Sequence, residues 1–179
     1  MARTFAAIPS VVLVICVFLP ALRVCGEPTA PITYPPFYAP YFGALGIALL
    51  ALVRRRKLVK LGAAFTIVLD LVTVGGFGAL IVQNSAGTLA IAIACATLAA
   101  VFVALRWIVR STLEDRALAA IATVHGVATT IWATLLAFDS DAMWGAHVTL
   151  FAALALTVTS IVWLGEHDDE PPLPPAIVR

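Results

Sequence analysis

The sequence predicts an all-α bundle of six membrane-spanning helices, or five if the N-terminal segment is a cleaved signal, with both termini on the cytoplasmic side. Three observations predict it. The 179 residues are 62% hydrophobic and 12% charged, with a mean hydropathy of +1.04. Soluble domains are nearer half apolar and a quarter charged. Six apolar stretches approach the roughly 20 residues that a spanning helix needs. Finally, six crossings put nearly all basic residues on one side, as the positive-inside rule requires.

The first stretch, Thr4–Leu22, follows Arg3 and has a basic start and an apolar core. A signal peptide shares that pattern, but no small-x-small cleavage signature follows, so an uncleaved helix is the preferred reading. The second, Phe37–Val53, is short for a span. Arg54, Arg55, Arg56, Lys57 and Lys60 follow it. The third and fourth stretches are Leu61–Val82 and Thr88–Leu105. Arg106, Arg110 and Arg116 mark the next gap, before Ala117–Phe138 and Ala146–Leu164. Removing any one internal helix would throw the two basic clusters onto opposite sides. Residues 1–165 thus read as one bundle, and 166–179 as a disordered, acidic and proline-rich cytoplasmic tail.

Tyr34, Tyr38, Tyr41 and Trp144 fall at the outer interface, and Trp107 and Trp163 at the inner one, depths that amphipathic rings prefer. The outer segment "CGEPTAPITYPPFYAP" carries five prolines that forbid a helix before Pro40. It reads as an extended, polyproline-like connector lying on the membrane surface. Cys16 and Cys95 lie in apolar stretches and read as buried, inert thiols, while Cys25 lies in a loop. No CxxC pair or metal-ligand spacing occurs.

Asp70 stands in the middle of the third stretch, "AAFTIVLDLVTVGGFGAL". An ionised aspartate at the bilayer centre costs about 2.5–3.5 kcal/mol on insertion scales. Helical spacing places Asp70 beside Thr66 and Thr73, with Ala63 and Gly76 on the same stripe. Phe65, Val68 and Val72 occupy the other side, which suits lipid. The stripe therefore turns Asp70 toward the bundle. The other strongly polar residue at comparable depth is His125 in the fifth stretch, sharing a face with Ala122, Thr129 and Trp132. Gly126, and Gly75, Gly76 and Gly78 on the third helix, would let the two helices approach. An Asp70–His125 pair has two readings. It is a polar clasp that fixes helix packing, or a site that handles a proton.

Catalytic and cofactor patterns are absent: no HExxH, GxSxG, P-loop or dinucleotide fingerprint. A bis-His haem would need two histidines at one depth, and His147 lies roughly 15 Å above His125 by helix rise. The residues point to no cofactor and no metal, and no basic field points to nucleic acid. The basic loops have a topogenic role that accounts for them, although such residues also attract anionic lipid. Arginine over lysine and abundant alanine fit a bacterial source and an inner-membrane location. The leading expectation is a non-enzymatic membrane module. Its partners would be the bilayer and a second copy of the chain or another membrane protein. The alternative is a small proton-coupled transporter using Asp70 and His125.

Overall fold

The computed structural model describes residues 2–33, 38–53, 55–83, 87–110 and 114–166. Arg54, Tyr34 and the tail from His167 onward lie outside the described residues. Among the described residues the chain is all-helical apart from one small hairpin. Its helices are α1 (Ala2–Cys16), α2 (Ala39–Leu52), α3 (Arg56–Gln83), α4 (Gly87–Arg110), α5 (Asp115–Ala137) and α6 (Trp144–Gly165). Consecutive helices pack antiparallel: α1 on α2, α2 on α3, α3 on α4 and α5 on α6. The chain then closes on itself, because α6 packs on α1, and α5 lies against both α2 and α3.

Among the described residues, three helices are long and apolar enough to cross a membrane: Arg56–Gly75 within α3, α5 and α6. Packing supports membrane association independently. The interior is rich in small residues, Ala6, Ala44, Ala63, Ala119, Ala122, Ala133 and Ala153 all being buried among Leu13, Ile47, Leu50, Leu156 and Trp163. Many bulky apolar residues point outward, Leu98, Phe102, Leu135 and Phe151 each being about two-thirds or more exposed. A water-soluble surface rarely carries so many. Among lipids this arrangement is sensible, because burying leucine gains little there and small residues let backbones approach. Hydroxyls inside such helices have no water to bond. Ser10, Thr73, Thr97, Thr123, Thr134, Thr149, Thr157 and Thr159 each donate to the carbonyl four residues back, the local solution open to Ser and Thr.

The first helix is shorter than its apolar run. It ends at Cys16 rather than continuing to Leu22. Pro20 lacks the N–H a helix needs and disfavours helical backbone at the residue before it. The chain tightens through i→i+3 bonds at Val17, Phe18 and Leu19. It then forms an antiparallel hairpin of β1 (Leu22–Val24) and β2 (Glu27–Thr29). The connecting residues Cys25 and Gly26 both have positive φ, 52° and 88°, which suits a two-residue turn matched to strand twist. A three-residue 3-10 turn, Pro31–Thr33, follows. The expected extended connector is therefore folded where it is described. It is also anchored. Met143 N–H donates to the Ala21 carbonyl at 2.9 Å, Arg23 N–H to Asp141 at 2.9 Å and Gly145 N–H to Pro20 at 3.1 Å. These bonds fix the end of α1 against the loop between α5 and α6.

Two aromatic expectations change. Tyr41 and Trp163 are fully buried rather than facing the interface. Tyr41 packs edge-on against Trp132, with centroids 5.5 Å apart, and its hydroxyl lies 3.4 Å from that of Thr149. Trp107 and Trp144 are exposed, 50% and 55%. Cys95 is exposed on α4, not buried; Cys16 is buried and Cys25 exposed.

Candidate functional site

The site begins with two missing side chains on α2. At Gly43 an added Cβ would collide with Cε1 of His125, and at Gly46 one would collide with the hydroxyl of Thr66. The two glycines are three residues apart and so share one face of α2. They form a notch that receives His125 from α5 and Thr66 from α3. The Thr66 hydroxyl lies 3.1 Å from the Gly43 carbonyl and 3.1 Å from the Gly62 carbonyl, bridging α2 and α3.

Set in this notch, His125 meets Asp70. Nδ1 lies 2.8 Å from Asp70 Oδ1. Nε2 lies 3.4 Å from the Thr129 hydroxyl, one turn further along α5. With the carboxyl ionised, Nδ1–H donates to Asp70 and Nε2 accepts from Thr129 when the ring is neutral. The ring has no exposed surface, while the Asp70 side chain keeps 21% of its own. The pair is therefore asymmetric: the imidazole is enclosed, and only the carboxylate reaches the edge of the packing.

Asp70, His125 and Thr129 come together, and Thr66 joins them through Gly43. Thr73 does not join, since its hydroxyl donates to Leu69 O at 2.7 Å on its own helix. Two of the glycines expected to bring α3 and α5 together face elsewhere. Gly126 packs against Thr157 of α6, and Gly75 against Thr97 of α4. The packing of Gly76 and Gly78 lies outside the described residues. Close approach is supplied by Gly43 on α2, a third helix. The signal was present in "GALG" at Gly43–Gly46, two glycines at small-xx-small spacing. His147 lies apart, exposed at the start of α6, where Nδ1–H donates to Met143 O at 3.2 Å. Among the described residues no three His, Cys, Asp or Glu side chains cluster to hold a metal ion.

A second polar knot sits at the other end of α2. Arg3 donates through Nε and Nη2 to Leu50 O, at 3.1 and 2.6 Å, and through Nη2 to Val53 O at 3.1 Å. Its Nη1 lies 2.8 Å from Asp115 Oδ1. Its guanidinium stands 5.8 Å from the centroid of the Trp163 ring, within reach of a cation–π attraction. One side chain thus joins the starts of α1 and α5 to the ends of α2 and α6. Counted only as a topogenic charge, Arg3 gave no hint of this in the sequence.

Compared with known proteins, the chain matches no family model, no curated protein and no solved structure.

Proposed function

We propose that the chain is a six-pass membrane protein whose Asp70–His125 pair is a polar clasp that sets helix register, in a module that works by assembly or partner binding rather than catalysis. In this reading the Arg3 end, with Arg55, Arg56, Lys57 and Lys60, faces the cytoplasm of a bacterium, and the hairpin faces outward. The partners are the bilayer and a second copy of the chain or another membrane protein. The observation that carries the clasp is the notch. His125 is enclosed by Gly43, bonded at both nitrogens and buried throughout. A ring held this way specifies which face of α5 meets α2 and α3. Interhelical polar contacts in membranes contribute only about 0.6 kcal/mol on average, so specificity rather than stability is the expected return.

One observation favours a second reading, proton handling. The Asp70 carboxylate retains surface that His125 lacks, so a proton could reach the pair through Asp70. Infrared difference spectra of the protein in lipid separate the two, with Asp70→Asn assigning the carboxyl band. A clasp keeps the band fixed between about pH 5 and 8. A proton-handling site shows it titrating in that window and shifting in His125→Ala. Cysteine labelling from either side at residues 55 and 141 tests the orientation.

A further inference from the structure

Two contacts fix how α3 is surrounded at the depth of Asp70. Asp70 meets His125 of α5, and Gly75 lies against Thr97 of α4. Five residues at about 100° each put these two directions roughly 140° apart around α3. With packed helices about 8–10 Å apart, the axes of α4 and α5 then stand about 15–19 Å from each other, close to twice the packing distance. α4 accordingly packs mainly on α3. The groove this leaves is apolar and open. Val74, one turn beyond Asp70 on α3, is 67% exposed on its floor. Val124 and Leu135 are exposed on the α5 wall, and Ala96 on the α4 wall.

Asp70, at the edge of this floor, has bonding capacity to spare. Among the described residues the buried Thr129 hydroxyl has Nε2 of His125 as its one acceptor, so it donates there and the ring is neutral. Nδ1–H then donates to Asp70 Oδ1, and among the described residues Oδ2 has no partner. The nearest basic residue on α3, Lys60, lies roughly 15 Å away along the axis. An ionised Asp70 therefore keeps its charge at mid-depth. Acyl chains filling the groove would offer it no donor, and headgroups stand roughly 15 Å from the bilayer centre. A spanning helix does bring a side chain to that depth, and the groove has the width of one helix. We infer that the groove between α4 and α5 seats a transmembrane helix of another protein, which presents a lysine or arginine to Asp70. A second copy cannot supply that cation, because every Lys and Arg of this chain lies outside its six apolar stretches. The inference rests on the partner-binding reading proposed above and narrows its partner to another membrane protein.

The probe is a synthetic leucine–alanine transmembrane peptide with one central lysine and a cysteine one turn to either side. In the control peptide leucine replaces the lysine. The full chain carries Val74→Cys, with Cys25→Ser and Cys95→Ser removing its exposed thiols, and is reconstituted in phosphatidylcholine vesicles. On oxidation the lysine peptide should crosslink to position 74 at least about threefold more than the control, the factor that an average interhelical polar contact corresponds to. Asp70→Asn, whose amide oxygen still accepts from Nδ1–H, should bring that ratio to one. Leu98→Cys, exposed on the side of α4 away from the groove, should show no preference when it replaces Val74→Cys. Equal yields from the two peptides at position 74, a preference that survives Asp70→Asn, or an equal preference at position 98 overturns the groove site and leaves the clasp to its infrared test. Modification of Val74→Cys by a membrane-impermeant maleimide at the rate of a free thiol overturns the membrane reading and the groove together.

Discussion

Arg3 and His125 both tie together helices far apart in sequence, but by opposite means. Arg3 uses bonds: two backbone carbonyls, one carboxylate and one ring face. It works at a helix end, where its own side chain is 25% exposed and that of Asp115 is 40% exposed. His125 has fewer bonds and no exposed surface, and is held by the absence of atoms at Gly43. Water can replace part of what Arg3 supplies. Nothing can replace the space that Gly43 leaves. Bond count is therefore a poor guide to which knot matters more, and steric fit should dominate at mid-depth.

The comparison can be broken by experiment, starting with its largest consequence. Gly43→Val should destabilise the bundle in bicelles near the upper end of about 1–3 kcal/mol, the range for overpacking a well-filled core. A neutral result would show that the notch is loose and the contrast misplaced. Arg3→Ala should cost about 1–2 kcal/mol, below the full value of charged hydrogen bonds because water competes at this depth. Arg3→Lys should recover only part of this loss in the same unfolding measurement, since an ammonium cannot span two carbonyls and a carboxylate as the guanidinium fork does.

Smaller effects sharpen the contrast. Asp70→Asn should cost about 0.6 kcal/mol and no more than about 1.7, the range for interhelical polar contacts in membranes. Raising salt from about 0.05 to 0.5 M should shrink the Arg3→Ala penalty more than the Asp70→Asn penalty, because both members of the first pair are exposed, 25% and 40%, whereas in the second His125 is enclosed and Asp70 is 21% exposed. Unfolding curves at both salts read this directly. Thr73→Val should fall within about 0.5 kcal/mol of zero, since its hydroxyl serves only Leu69 on its own helix. A larger effect would place Thr73 back in the site.

Much of this was legible in the chain, for a physical reason. Helix periodicity is local, so the Thr66–Asp70 stripe and the outward faces of Phe65 and Val72 followed from spacing alone. The rise per residue similarly set Asp70 and His125 at one depth. The reading failed where a third element decided the outcome. Gly126 and Gly75 each pointed to a close approach, but spacing does not say which neighbour approaches, and each serves a different helix pair. Tyr41 and Trp163 look like interfacial rings by depth, yet depth does not distinguish outside from inside. Proline content correctly excluded an α-helix over the described part of the outer segment, residues 25–33, but the hairpin depends on backbone bonds to residues 141 and 143. No local pattern encodes those bonds.

The Arg3 knot also has a history in time. Arg3 and Asp115 are separated by 112 positions. At ordinary synthesis rates of about 5–20 residues per second, Asp115 follows Arg3 after about 6–20 s. Trp163 comes later still. Throughout that interval α1 and α2 can pair, and Arg3 can already hold the Leu50 and Val53 carbonyls, but the carboxylate and the indole do not yet exist. On the membrane reading proposed above, the chain made before Asp115 therefore waits as a growing intermediate of up to four helices, α1–α4, with a half-satisfied guanidinium. The arrival of α5 and α6 then seals the bundle in one late step.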